Sequence, residues 1–187
     1  MAVGVLAVQG DFEKHMSALS RADASVDALE VRTAEDLKKV DRLVIPGGES
    51  TTVGLLLERY GLGDAIRARA QEGIPIWGTC MGMILMASEI ENREQYTLGI
   101  LDITVRRNAF GAQVHSFEDE VEVQGIGEPV TGVFIRAPVV SRLGDGVQEI
   151  ARYCDAVVAV RSGSILGTSF HPELTDDVRL HQFFLSL

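Results

Sequence analysis

"PIWGTCMGM" (75–83) changes character at its centre. "PIWG" reads as a short buried strand, and Met81 to Ile90 as an apolar helix. The join is Gly78-Thr79-Cys80-Met81-Gly82. A strand that turns directly into a helix is the repeating unit of an open α/β sheet, and such sheets carry their chemistry at the carboxyl ends of their strands. Cys80 stands at such an end. The pattern Gly78-x-Cys80-x-Gly82 has the spacing of a nucleophile elbow, a tight turn whose small neighbours let strand and helix approach closely. The turn exposes the sulfur beside a helix N-terminus, which favours the reactive thiolate. It also aims the Met81 N–H at a developing oxyanion. A free cysteine is otherwise a common small core residue, and Cys154, in "ARYCDAVV", has no comparable frame.

The surrounding sequence repeats the same alternation. "VGVLAV" (3–8) precedes a helix with Phe12, Met16 and Leu19 on one face. "SVDALEV" (25–31) precedes a short helix around "AEDLKKV". "RLVIP" (42–46) leads through "GGES" into "TTVGLLLERY", and "GLGDAIRARAQEG" forms another helix before "PIWG". Strands alternating with helices predict a mostly parallel sheet covered on both faces. After residue 100 the pattern becomes strand-rich: "ILDITVRR", "DEVEVQG", "TGVFIRAPVV", "QEIARY" and "AVVAVRSGSILGTSF", with "RSGS" as a tight hairpin turn. The last helix carries Leu180, Phe183, Phe184 and Leu187, with Asp176 and Asp177 expected in its first turn. The expectation is one α/β domain over residues 1–187, flavodoxin-like, with β additions in the second half.

A chain of 187 residues, 46% hydrophobic and 24% charged, suits one soluble domain with a sizeable core. Its net charge of −10 argues against a nucleic-acid partner. No stretch approaches the ~20 apolar residues of a membrane span, and "MAVGVLAVQG" reads as a first strand, not a leader. Two cysteines without metal-ligand spacing or a disulfide framework suggest a reducing compartment, the cytoplasm.

A thiol nucleophile needs an imidazole, and the imidazole needs a group to orient it. "SFHPEL" (169–174) closes the last β run and places His171 two residues before Glu173. Pro172 stiffens the segment and disfavours helix at His171, so both side chains project from one rigid stretch. His15 and His181 lie within helices and read as solvated or packing residues, and His115 as a surface residue. "VIPGGEST" (44–51) ends the third strand. Gly47 and Gly48 are free to turn backbone N–H groups inward and complete an oxyanion hole with Met81, while Glu49, Ser50 and Thr51 open the next helix. In "VRRNAFG" (105–111) and "GVFIRAP" (132–138), Arg107 and Arg136 are candidates for fork-like recognition of a carboxylate. Arg136 is expected inside an apolar strand. Structural salt bridges would account for either arginine equally well. The acidic run "EDEVE" (118–122) reads as a solvated strand face.

Taken together, "GTCMG", "PGGES" and "FHPE" in this order resemble the triad-type, or class I, glutamine amidotransferases. "GVLAVQGDFEKH", "PGGESTT", "VRRNAFG", "GVFIRAP" and "SFHPEL" are similar to the branch that serves pyridoxal 5'-phosphate synthase. These motifs run from about residue 4 to 174. The resemblance implies Cys80 as nucleophile, with His171 and Glu173 completing a triad. It implies contacts to L-glutamine from Gly48, Glu49, Ser50, Arg107, Ile135 and Arg136. It implies hydrolysis of glutamine to glutamate and ammonia without metal or bound cofactor. The ammonia would pass to a separate (β/α)8-barrel synthase subunit, met near Gln9-Gly10, whose docking raises a low basal activity. Two positions depart from the family: Met81 stands where alanine is usual, and His115 where an acidic residue is usual. Rival readings are a glutaminase serving another synthase, a non-catalytic module on this fold, and a thiol peptidase. The complete Cys80, His171 and Glu173 set weighs against the module, and the arginines against the peptidase.

Overall fold

The computed structural model describes residues 1–109 and 116–187. The first half runs β1 (Ala2–Leu6), α1 (Phe12–Ala22), β2 (Asp27–Val31), α2 (Ala34–Leu37), β3 (Arg42–Ile45), α3 (Ser50–Arg59), α4 (Leu62–Gln71) and β4 (Ile76–Thr79). Then come α5 (Met81–Met86), β5 (Ala87–Ile90), β6 (Leu101–Arg106), β7 (Phe117–Val121), β8 (Val130–Phe134) and β9 (Val139–Leu143). The hairpin region comprises β10 (Gln148–Tyr153), β11 (Ala156–Ser162) and β12 (Ile165–Thr168). A 3-10 turn over Pro172–Leu174 and α6 (Arg179–Leu185) end the chain.

Among the described residues, the main sheet has the order β2-β1-β3-β4-β12-β11-β9-β6-β5, with β10 beside β11. Strands β2, β1, β3, β4 and β12 run parallel. Beyond β12 the pairing turns antiparallel through β11, β9 and β6, and β5 returns parallel to β6. A separate antiparallel ribbon joins β7 and β8. This is the expected α/β architecture with β additions.

The near-continuous apolar strands follow from burial on both faces. Along β3, Leu43 and Ile45 point into one core while Val44 points into the other. The first core takes Val53 and Leu57 of α3, Ile66 of α4 and the apolar side chains of α5. The second takes Leu19 of α1, Leu180 and Phe184 of α6, and Val121 and Val130 from the ribbon. Trp77 of β4 is fully buried there, and its indole N–H donates to Thr168 Oγ1 at 3.1 Å.

Three local expectations are corrected. The helix expected through Ile90 ends at Met86, because Ala87–Ile90 pairs with β6. The short helix expected around "AEDLKKV" is present as a single turn, closed by a reciprocal Thr33–Asp36 capping box. "GVFIRAP" is not one strand: β8 stops at Phe134, and Arg136 occupies a bend with φ 46°. Asp176 and Asp177 precede the last helix, with Asp177 Oδ1 accepting from the Arg179 N–H at 3.0 Å.

Candidate active site

Three neighbouring parallel strands deliver the candidate residues to one edge. Ile45 of β3 pairs with Gly78 of β4, and Thr79 of β4 pairs with Thr168 of β12. Gly47 follows the end of β3 by two residues, Cys80 follows β4 by one, and His171 follows β12 by three. Cys80 has φ 49° and ψ −104°, a conformation that side-chain-bearing residues rarely adopt. Its N–H donates to the Thr168 carbonyl at 2.7 Å, and its carbonyl accepts from Ile84 N–H at 3.3 Å. Both flanking glycines are required by close approach. A Cβ on Gly78 would sit 2.5 Å from the Gly82 carbonyl carbon, and one on Gly82 would overlap the Ile45 carbonyl oxygen. The elbow read from the sequence is therefore present, with its strain concentrated at Cys80.

His171 Nδ1 and Glu173 Oε1 are 2.7 Å apart. The carboxylate can only accept, so Nδ1 carries the proton and Nε2 is the nitrogen left for the thiol. The Cys80 thiol lies 3.9 Å from the Ile135 carbonyl, its hydrogen-bond acceptor, and interacts electrostatically with His171. Burial works against a charged imidazole at His171, but its interactions with Cys80 and Glu173 outweigh it and push its pKa up to about 10. Glu173 has a fully buried carboxylate. Burial opposes its charge, yet His15 and His171 together hold its pKa down to about 2.

The loop after β3 lies against this pair. A Cβ on Gly47 would overlap His171 Cε1, so the loop backbone contacts the imidazole edge-on. Gly48, at φ 156°, lies over the Met81 methyl group, 3.2 Å from where its Cβ would be. Met81 is otherwise part of the core, so its side chain forms the floor of the glycine loop. As the first residue of α5, it has an N–H without an intrahelical partner. Glu49 caps α3: its carboxylate accepts from Thr51 N–H at 3.1 Å and Thr52 N–H at 2.7 Å. Those bonds, Thr52 foremost, hold it ionised with a pKa of about 2.

Gly47, Gly48, Glu49, Ser50, Cys80, Met81, Arg107, Ile135, Arg136 and His171 all line one cavity of about 490 Å³. Glu173 stands behind His171. A larger cleft of about 680 Å³ contains the exposed Cys154 but no histidine. Arg107 donates to Gln95 Oε1 at 3.2 Å and lies 3.8 Å from Glu49 Oε1. Gln95 also lies 3.4 Å from Ser50 Oγ. It ties the arginine to the start of α3, a link that the sequence reading missed because nothing local marks residue 95. Two further omissions are His15 and His181, both fully buried behind Glu173. His115 lies outside the described residues.

Residues 5–187 match the SNO glutamine amidotransferase family. The chain belongs to this family. Among its relatives, pyridoxal 5'-phosphate synthase subunit PdxT of a Thermus thermophilus strain is 54% identical over 187 residues, covering 99% of this chain and 96% of the relative. The PdxT of Mycobacterium leprae is 53% identical over 190 residues, covering 99% and 95%. A crystal structure of a glutamine amidotransferase superposes with a TM-score of 0.93 at 52% identity, covering 98% of this chain and 97% of that one. The PurLQS structure from Thermotoga maritima shares the fold, with a TM-score of 0.69 at 17% identity and coverage of 99% and 97%. This family membership places the cavity in a glutamine amidotransferase. No helix among the described residues is long and apolar enough to cross a membrane.

Proposed function

We propose that this chain, acting as one domain over residues 1–187, is the cytoplasmic glutaminase subunit of a pyridoxal 5'-phosphate synthase, and that Cys80, His171 and Glu173 are its triad. The observation that carries the reading is the left-handed Cys80 turn, which shares a cavity with His171, itself bonded to Glu173 at 2.7 Å.

The chemistry is acyl transfer through sulfur. Cys80, as thiolate, attacks the side-chain amide carbon of L-glutamine, and the carbonyl π electrons move onto oxygen. The Met81 N–H and the Gly47-Gly48 loop hold that oxyanion. The intermediate collapses, the C–N bond breaks, and ammonia leaves with the proton of the His171 imidazolium. The neutral imidazole then takes a proton from water. The hydroxide adds to the thioester, the C–S bond breaks, and glutamate leaves as the thiolate and imidazolium are restored. Arg107, Arg136, Ile135 and the Glu49-Ser50 loop grip the amino-acid end of the substrate. Because Glu49 already caps α3, its carboxylate reaches the loop pre-positioned and ionised.

The ammonia goes to the (β/α)8-barrel synthase subunit. Gln9 Oε1 accepts from the Glu49 N–H at 3.2 Å, and Gly10 abuts the Gly47 carbonyl. A partner that meets Gln9-Gly10 therefore presses on the oxyanion loop through one residue, which supports activation by docking. The test is glutamate release from L-glutamine with and without the synthase subunit. The expected result is low basal turnover, strong stimulation by the partner, and none with Cys80→Ala. Turnover by that variant would overturn the nucleophile, and indifference to the synthase would overturn the partner.

A further inference from the structure

Behind the candidate triad lies a polar chain that the mechanism above does not use. His15, on α1, and His181, on α6, have no exposed surface. His15 Nδ1 is 3.2 Å from His181 Nε2. His15 Nε2 is 3.2 Å from Thr79 Oγ1 and 3.3 Å from Glu173 Oε2. Both rings pack edge-on against Trp77. Two imidazoles buried against an indole cost desolvation that apolar residues of the same size would avoid. Shape alone does not account for them.

Proton bookkeeping gives the chain a direction. Glu173 Oε1 is taken by His171, while Oε2 has no hydrogen bond among the described residues and faces His15 Nε2. A carboxylate oxygen only accepts. If His15 Nε2 were bare, two lone pairs would oppose each other in a dry site. His15 Nδ1–H would then have to donate to His181, leaving the partnerless His181 Nδ1 as a buried orphan donor. The opposite arrangement satisfies every group but one acceptor. His15 carries its proton on Nε2, directed at Thr79 and Glu173, and its bare Nδ1 accepts from His181 Nε2–H. Burial supports this by keeping both rings neutral: it lowers the His15 pKa against the pull of Glu173, and takes that of His181 down to about 3.

We propose that His15 is a positioning residue of the glutaminase: its Nε2–H holds the second carboxylate oxygen of Glu173, which fixes the carboxylate in the plane that orients His171. The proposal rests on reading Cys80, His171 and Glu173 as the triad. The charged and titratable groups facing His15 are Glu173, His171, His181 and Asp11, and those facing His181 also include Arg21 and Asp177. Without the His15 donor, Glu173 would hold its charge less firmly and His171 its proton less firmly. Cys80 would then be less reactive at neutral pH, with no change in the groups that line the cavity.

The test needs no glutamine turnover. In a Cys154→Ser background, Cys80 alkylation by iodoacetamide is followed against pH for the wild-type site, His15→Asn and His15→Gln. A glutamine side chain reaches as far as Nε2 and restores the donor to Glu173; asparagine reaches only as far as Nδ1. The Asn variant should shift the profile to higher pH by about one unit, a tenfold change at a fixed pH on the flank, and the Gln variant should lie near wild type. Coincident profiles for folded Asn and wild-type chains would overturn the proposal. Independently of either variant's stability, the wild-type chain labelled with 15N-histidine should show His15 as a neutral Nε2–H tautomer between pH 6 and 8. An Nδ1–H or charged His15 would overturn it. Absence of glutaminase activity in the wild-type complex would instead overturn the functional reading, leaving this electrostatic result separately measurable.

Discussion

The Cys80 N–H donates to the Thr168 carbonyl at 2.7 Å. That bond continues the β4–β12 ladder one residue past the strand end and ties the Cys80 turn to the strand that precedes His171 by three residues. The position of the Cys80 turn relative to β12 is thus set by sheet register. Sites built on strand ends hold their geometry better than sites carried by free loops.

The left-handed backbone at Cys80 stores strain that glycine would release. Residues held in such sparsely populated regions cost about 1–3 kcal/mol. Cys80→Gly should therefore gain about 1 kcal/mol in stability while losing all glutaminase activity. Urea unfolding measures the gain, and a clearly less stable variant would contradict the strained-turn account.

Alanine at Gly82 meets the Ile45 carbonyl oxygen, and at Gly78 the backbone of residue 82. Neither neighbour is a flexible side-chain tip. Each substitution should cost about 2 kcal/mol or more, since overpacking a dense core forces backbone shifts. Denaturant midpoints report the loss. Gly73→Ala is the control: its Cβ meets nothing within 4 Å, so only its left-handed φ is penalised.

The His171–Glu173 pair makes stability depend on pH from both sides. Glu173, depressed to about 2, contributes stability that is present above its unfolded value of 4.5 and is lost as pH falls through about 2. His171, raised to about 10, contributes stability that is present below 6.5 and is lost as pH rises through about 10. Glu173→Gln should flatten both limbs relative to wild type. Each proton linked to unfolding gives a slope of about 1.4 kcal/mol per pH unit, so unfolding free energies at pH 3, 5.5 and 9 suffice. Parallel curves for the two proteins would show that the pair is not coupled.

Arg107 spans from Gln95 to the Glu49 carboxylate in the cavity that holds Cys80. Arg107→Met should raise the KM for glutamine about 10- to 100-fold, the loss of a charge-assisted bond of about 1.5–3 kcal/mol. The change in kcat should be smaller, because the role proposed for Arg107 is at the amino-acid end of the substrate. Gln95→Leu should move KM in the same direction by freeing the arginine. A fall in kcat with KM unchanged would assign Arg107 to the chemical step instead.

The parts of this molecule legible in the sequence share a physical basis. Leu43, Val44 and Ile45 form a run that only burial on both faces explains, and Gly78 and Gly82 bracket Cys80 at a spacing that only a tight turn needs. What the sequence concealed depends on tertiary contacts. Ala87–Ile90 follows α5 without a breaker, and becomes a strand because β6 lies alongside it. Arg136 gives no local sign of the left-handed bend that ends β8. His15 did leave a signal: it falls three residues after Phe12 and four before Leu19, on the buried side of α1. His181 likewise lies three residues before Phe184. Their convergence on Glu173 needs α1 and α6 packed against the same turn, which spacing within either helix does not reveal.

The central claim is that Cys80 is the nucleophile for the glutamine amide. The most direct measurement is peptide mass mapping after a glutamine-shaped chloroketone reacts with the chain in complex with its synthase subunit. The account predicts one covalent adduct, on Cys80, formed in competition with L-glutamine and leaving Cys154 unmodified. Labelling of Cys154 with Cys80 untouched, in a complex that hydrolyses glutamine, would contradict it.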